Sequence, residues 1–77
     1  MNNTTFVTET FLETMDVNNF LKNIQEFDAV TQKQCLLKAR RELLKPGRLK
    51  LHSARSTRQA LITIRVALEN GKKSKLN

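Results

Sequence analysis

Residues 56–68 read STRQALITIRVAL and carry the strongest amphipathic helix pattern in the chain. At about 100° per residue, one side gathers the apolar and small residues, which are Thr57, Ala60, Leu61, Ile64, Ala67 and Leu68. Arg58, Arg65 and Glu69 gather on the opposite side. The stretch therefore predicts a helix that packs on a core with one face and meets solvent or a partner with the other.

Local signals at both ends predict that this helix covers about residues 56–70. The Ser56 hydroxyl can cap the first turn, and Asn70-Gly71 favours the left-handed geometry in which helices commonly end. Ile62 and Val66 fall beside the arginines, so we expect them to be only partly covered. Aliphatic side chains next to arginines are common at interfaces, which makes this face a candidate contact surface.

The preceding chain predicts two further main helices. Asp16 is the expected N-cap of a helix over about residues 16–29, whose apolar stripe consists of Val17, Phe20, Leu21, Ile24 and Phe27. Thr31 is the expected cap of the next helix, over about residues 31–45, whose apolar side carries Cys35, Leu36, Ala39 and Leu43, with Leu37 and Leu44 at its margin. Pro46-Gly47 ends that helix, because proline lacks a backbone donor and disfavours helical geometry in the residue before it.

The N-terminal segment carries two competing patterns. In residues 6–15, FVTETFLETM, the Thr and Phe content favours a strand, whereas the apolar spacing of Val7, Phe11, Leu12 and Met15 favours a short helix. We favour the helix. The predicted fold class is all-α, a small bundle of three main helices with a short N-terminal helix or strand.

The predicted organisation is a single domain. We expect residues 1–5 to be frayed, residues 6–71 to form the helical domain, and residues 72–77 to be a basic disordered tail. The alternation of basic residues and leucines over residues 47–55 is interpreted as an extended basic connector.

Size and side-chain chemistry argue against an enzyme. A chain of 77 residues buries only about 60% of the surface that its unfolded form exposes, which leaves little room for an active-site cavity. Cys35 and His52 are the only cysteine and histidine, too few for a zinc site. His52 beside Ser53 lacks an acid to orient it, so we predict no catalytic residues, no metal and no cofactor.

The charge distribution predicts the class of partner. Residues 1–30 hold five acids against Lys22, and residues 31–77 hold thirteen basic residues against two acids, within a chain of net charge +7. Such asymmetry points to a polyanionic partner: nucleic acid first, an acidic protein surface second, and an anionic membrane last. Apolar runs are too short for a spanning helix, and a single cysteine excludes an intramolecular disulfide, so we expect a cytoplasmic protein.

The candidate binding residues extend from the third predicted helix to the last. They are Lys38, Arg41, Lys45, Arg48, Lys50, Arg55, Arg58, Gln59, Ile62 and Arg65. Arginine can bind guanine, glutamine can bind adenine, and an aliphatic group can contact a thymine methyl in a major groove. We therefore predict a small regulatory protein that binds nucleic acid through residues 38–65. Duplex DNA is favoured, since we expect no exposed aromatic residues on which single strands could stack.

The run Ser56-x-Arg58-x-Ala60-Leu61 resembles the recognition helix of helix-turn-helix proteins, a resemblance that implies DNA binding. Those proteins join their paired helices through a turn of about three or four residues. Here Pro46 to Arg55 intervene. The pattern therefore assigns no family.

The alternative function is a small protein-interaction module, an inhibitor or adaptor that binds a larger protein or ribonucleoprotein machine through its basic and aliphatic face. Ile62, Val66 and the acidic N-terminal third favour this alternative. A homodimer through Ile62, Val66 and the N-terminal segment would account for the exposed apolar residues equally well. Membrane binding is not expected, because the basic helix lacks a bulky apolar face free of the core.

Overall fold

The structure is a computed structural model that describes residues 3–45 and 54–76, with side chains for residues 4–45 and 54–70. All regular structure in these ranges is α-helical, in the order α1 (Asn3–Thr14), α2 (Val17–Ile24), α3 (Ala29–Leu43) and α4 (Ala54–Leu76). The all-α class is confirmed, and the ambiguous N-terminal segment is a helix. With its 12 residues, α1 is longer than the 8-residue α2, so it is a main element of the bundle.

A tight link joins α1 to α2. Met15 has a positive φ of 59°, and its N–H donates to the Phe11 carbonyl, which is the left-handed arrangement that ends many helices. The next residue, Asp16, accepts a hydrogen bond from the Asn19 N–H at 3.1 Å. The predicted N-cap at Asp16 is therefore confirmed. Because only two residues separate the helices, α2 folds directly back on α1.

The core is centred on two aromatic rings. Phe11 of α1 and Phe20 of α2 are each 1% exposed, and their rings stack with centroids 4.6 Å apart. Around them lie the other buried apolar residues, which are Leu12, Ile24, Cys35, Leu36, Ala39, Leu43, Ala60 and Ile64. The helix α1 packs on α2 and α3, while α4 packs on α3 and touches α2. Each predicted stripe therefore contributes to one common core.

The two faces of α4 follow the sequence pattern. Thr57, Ala60 and Ile64 are buried, and the remaining predicted core residues, Leu61, Ala67 and Leu68, are partly buried against them. Ile62 and Val66 are 50% and 52% exposed. Their predicted partial exposure is confirmed.

Several predicted helix ends are wrong. α2 ends at Ile24, four residues before Asp28, because the Phe27 N–H bonds the Ile24 carbonyl in a tighter turn. α3 begins at Ala29, so Thr31 lies inside its first turn and does not cap it. Instead, Asp28 holds the N-cap position and its carbonyl accepts the Gln32 N–H.

The last helix also differs from its predicted limits. α4 begins at Ala54, which puts Ser56 within its first turn, and its backbone continues through Asn70-Gly71 to Leu76. The predicted stop at Asn70-Gly71 is therefore wrong, since Gly permits left-handed geometry without requiring it. α3 ends at Leu43, and the Pro46-Gly47 stop and most of the basic connector lie outside the described residues. The domain limits, with a frayed terminus over residues 1–5 and a disordered tail over residues 72–77, stay a prediction.

Candidate nucleic-acid and partner interface

The outer face of α4 gathers half of the predicted binding residues. Arg55, Arg58, Gln59, Ile62 and Arg65 are all exposed there, together with Val66. At a rise of about 1.5 Å per residue, Arg55 and Arg65 lie about 15 Å apart along the helix. Within the described part of the chain, the three arginines form no ion pair. Their charges are therefore available to an anionic partner.

Lys38 and Arg41 lie on a different surface. They line a groove of about 380 Å³ between α1 and α3, opposite the α1 threonines Thr4, Thr5 and Thr8. Lys45, which lies two residues beyond the end of α3, is exposed and pairs with Glu42, with Nζ 2.8 Å from the carboxylate oxygen. The predicted basic stripe of α3 is therefore not continuous with the α4 face. Arg48 and Lys50, which were expected to connect the two, lie outside the described residues.

Arg55 and Gln59 also line a small depression at the start of α4. Its volume is about 280 Å³, and its other wall is formed by Met15 of the α1–α2 link and Val17, the first residue of α2. Phosphate-binding groups placed here would lie at a helix N-terminus, where the backbone N–H groups favour anions.

The largest described cavity is a groove of about 760 Å³ between α3 and α4. Leucines from both helices line it, including Leu36, Leu37, Leu61 and Leu68. Basic residues Lys33, Arg40 and Arg65 lie at its edges, with Glu69 as the one acid of the lining. We name this surface the α3/α4 groove.

Sequence reasoning found Arg65 but missed the other residues of the α3/α4 groove. The signal was present in α3, where Leu37 and Leu44 lie at the margin of the apolar stripe and Val30 lies outside it. When the apolar stripe of a helix is too wide for one neighbouring helix to cover, its uncovered part forms an apolar groove. The width of the α3 stripe could therefore have indicated a second contact surface.

Cys35 is the one described thiol, and the structure places it in the core at 2% exposure. Burial raises the pKa of the Cys35 thiol above its ordinary value of 9.0, and the opposing effects of the Thr8 hydroxyl and the Lys38 ammonium are smaller. A protonated thiol is a poor nucleophile. The prediction that Cys35 is a small buried apolar residue is confirmed.

Searches for other kinds of site return nothing in the described residues. No group of three or more His, Cys, Asp or Glu side chains there could hold a metal ion. None of the described helices combines the length and apolarity needed to cross a bilayer. Comparisons with protein-family models, curated proteins and solved structures find no match. The features of the described residues that bear on function are therefore the exposed α4 face and the grooves.

Proposed function

We propose that the protein is a small regulatory protein that binds nucleic acid, duplex DNA in the first place, through the outer face of α4. The observation that carries the proposal is the exposure of Arg55, Arg58 and Arg65 on one side of a single helix, with Gln59 and Ile62 between them. An exposed α-helix fits the width of a major groove, and arginine, glutamine and isoleucine side chains can contact base edges there.

Charge separation within the fold supports the same surface. The exposed acids Glu9 and Glu13 belong to α1, which packs on α2 and α3, whereas α4 packs on α3 and touches α2. A duplex lying along α4 therefore need not approach these two α1 carboxylates. The α4 face itself carries one acid, Glu69, near its C-terminal end.

The candidate residues divide into stronger and weaker contributors. Arg55 and Arg58 project from the first turns of α4, so they can address phosphates while Gln59 reaches base edges. Lys38 and Arg41 face the α1 threonines, and Lys45 is paired with Glu42. We expect these three to contribute less than the arginines of α4.

Fluorescence anisotropy with a labelled mixed-sequence duplex and an RNA hairpin, repeated across salt concentrations, tests the proposal. We expect a slope of log K against log salt of about −3 to −5, as three to six phosphate contacts produce. Arg58→Ala should weaken binding and reduce the magnitude of the slope by about 0.9. Lys22→Ala, which removes one exposed positive charge from α2, is the matched control and should leave the slope unchanged.

Two outcomes would contradict the proposal. Absence of binding at low salt would exclude a nucleic-acid ligand for a protein of charge +7. Equal losses from Arg58→Ala and Lys22→Ala would mean that net charge, and not the α4 face, attracts the nucleic acid.

The alternative function, a protein-interaction module, is favoured by one specific observation. The α3/α4 groove combines a leucine lining with basic edges, and Ile62 and Val66 are half exposed nearby on α4. Apolar surface bordered by arginines is typical of protein interfaces.

A further inference from the structure

The α3/α4 groove is long enough for a helix. Its two most exposed apolar residues are Val30 and Leu44, which are 58% and 64% exposed and lie at opposite ends of α3. They are fourteen positions apart in the sequence, which corresponds to about 21 Å along a helix. The 12 residues of α1 span about 18 Å. A helix of the size of α1 therefore fits the length of the groove.

The net positive charge of the groove lining favours an acidic partner. Lys33, Arg40 and Arg65 contribute three positive charges to its lining, against one negative charge from Glu69. Within the described residues, none of the three cations has a carboxylate partner. A helix that lies in this groove should carry a bulky apolar side chain for the leucines and acids for the basic edges.

The chain itself exposes a helix of this description. Phe6 of α1 is 71% exposed, the highest value among the large apolar residues that the structure describes. The expectation that no aromatic residue is exposed is therefore wrong. Glu9 and Glu13, three and seven positions later, are also exposed and fall on the same side of the helix. α1 contains no basic residue. We name Phe6, Glu9 and Glu13 the acidic face of α1.

We propose that the protein self-associates, with the acidic face of α1 from one copy lying in the α3/α4 groove of another. Phe6 then packs among the groove leucines while Glu9 and Glu13 meet Arg40 and Arg65. The two contacting surfaces differ, so each copy offers one of each, and the contact is head-to-tail. The proposal depends on charge complementarity and burial of Phe6, and Arg65 is the one residue that it shares with the proposed nucleic-acid surface.

Sedimentation velocity of the full chain over a range of protein concentrations and salt tests self-association directly. The average mass should rise with concentration and fall with added salt, because the contact is partly ionic. Phe6→Asp should shift the onset of association to at least tenfold higher concentration. Arg40→Glu combined with Arg65→Glu should do the same. All three residues are exposed, and circular dichroism checks that each variant remains folded.

A mixing experiment isolates the head-to-tail geometry. In a mixture of the two variants, the Phe6→Asp copy keeps an intact groove and the Arg40→Glu/Arg65→Glu copy keeps an intact α1. One contact can form and the other cannot, so the mixture should yield one-to-one dimers and nothing larger. Ile62→Asp, an exposed apolar residue of α4 that does not line the groove, is the matched control and should associate like the unmodified protein.

A monomer at every concentration would overturn the proposal and leave the groove to an acidic helix of another protein. Loss of association in Ile62→Asp but not in Phe6→Asp would overturn it in favour of a homodimer through the outer face of α4. Failure of the mixture to dimerise would also overturn it. Unchanged duplex binding by Phe6→Asp would separate this result from the nucleic-acid proposal.

Discussion

The two sides of α3 are packed in different ways. Where α1 packs on α3, Phe11 of α1 stacks on Phe20 of α2, and both rings are almost fully buried. On the other side, α4 contributes no aromatic residue to the described core, and the leucines beside its contact with α3 stay partly exposed along the α3/α4 groove. The two rings fill the space between their helices. The apolar stripe of α3, in contrast, is wider than α4 covers, so leucines at its margin border the α3/α4 groove. Stability should therefore depend most on the aromatic side. The surfaces proposed to bind partners, the outer face of α4 and the α3/α4 groove, lie on the α4 side.

The largest expected loss of stability follows from removing a ring on the aromatic side. Phe20→Ala removes a ring that is 1% exposed and stacked on Phe11, so we expect a loss of about 3–5 kcal/mol in the free energy of unfolding. Urea denaturation followed by circular dichroism measures it. Phe6→Ala makes the same chemical change at an exposed position and should alter stability by no more than about 0.5 kcal/mol. Similar losses in both variants would contradict the assigned core.

An intermediate effect compares two positions of α4. Ile64→Ala removes a side chain with 0% exposure and should cost about 2–5 kcal/mol. Leu61→Ala should cost less, because Leu61 is only partly buried and already borders the α3/α4 groove. Denaturation midpoints of the two variants test the order. If Leu61→Ala is the more destabilising, the groove must be closed in solution.

The smallest effect concerns the helix ends. Asp16 and Asp28 both occupy N-cap positions, but only the Asp16 side chain accepts a backbone hydrogen bond. Asp16→Ala should cost about 1 kcal/mol. Asp28→Ala should cost only a few tenths, because it loses no more than a charge near the positive end of α3. Equal costs in thermal unfolding would show that the dipole, and not the hydrogen bond, accounts for the capping effect.

Helical periodicity was sufficient to predict which faces of α2 and α4 are buried. Phe20, Ile24, Ala60 and Ile64 follow from the pattern alone, because apolar residues repeat with the period of the helix. The first residue of each helix was harder to predict, since several residues near a helix start have side chains that can act as the N-cap. Thr31 and Ser56 both have hydroxyls that suit an N-cap, yet the helices begin two residues before each of them.

The candidate binding surface was likewise predictable only in part. Arg55, Arg58 and Arg65 share one face because they belong to one helix, which the sequence alone could predict. Whether Lys38 and Arg41 join that face depends on where α1 and α4 pack around α3, and both lie in the α1/α3 groove instead. Linear spacing contains no information on how three helices are arranged about each other.

Patterns in the amino-acid sequence were enough to predict the all-α class, the buried stripes, the Asp16 cap, the buried thiol and the separation of acidic from basic segments. Each of these depends on residues close together in the chain or on the helical period. The arrangement of the helices was needed to show that the basic residues lie on separate surfaces and that α3 and α4 leave a leucine-lined groove. Those features arise from packing between distant segments, where the sizes of side chains on different helices determine which surface is covered.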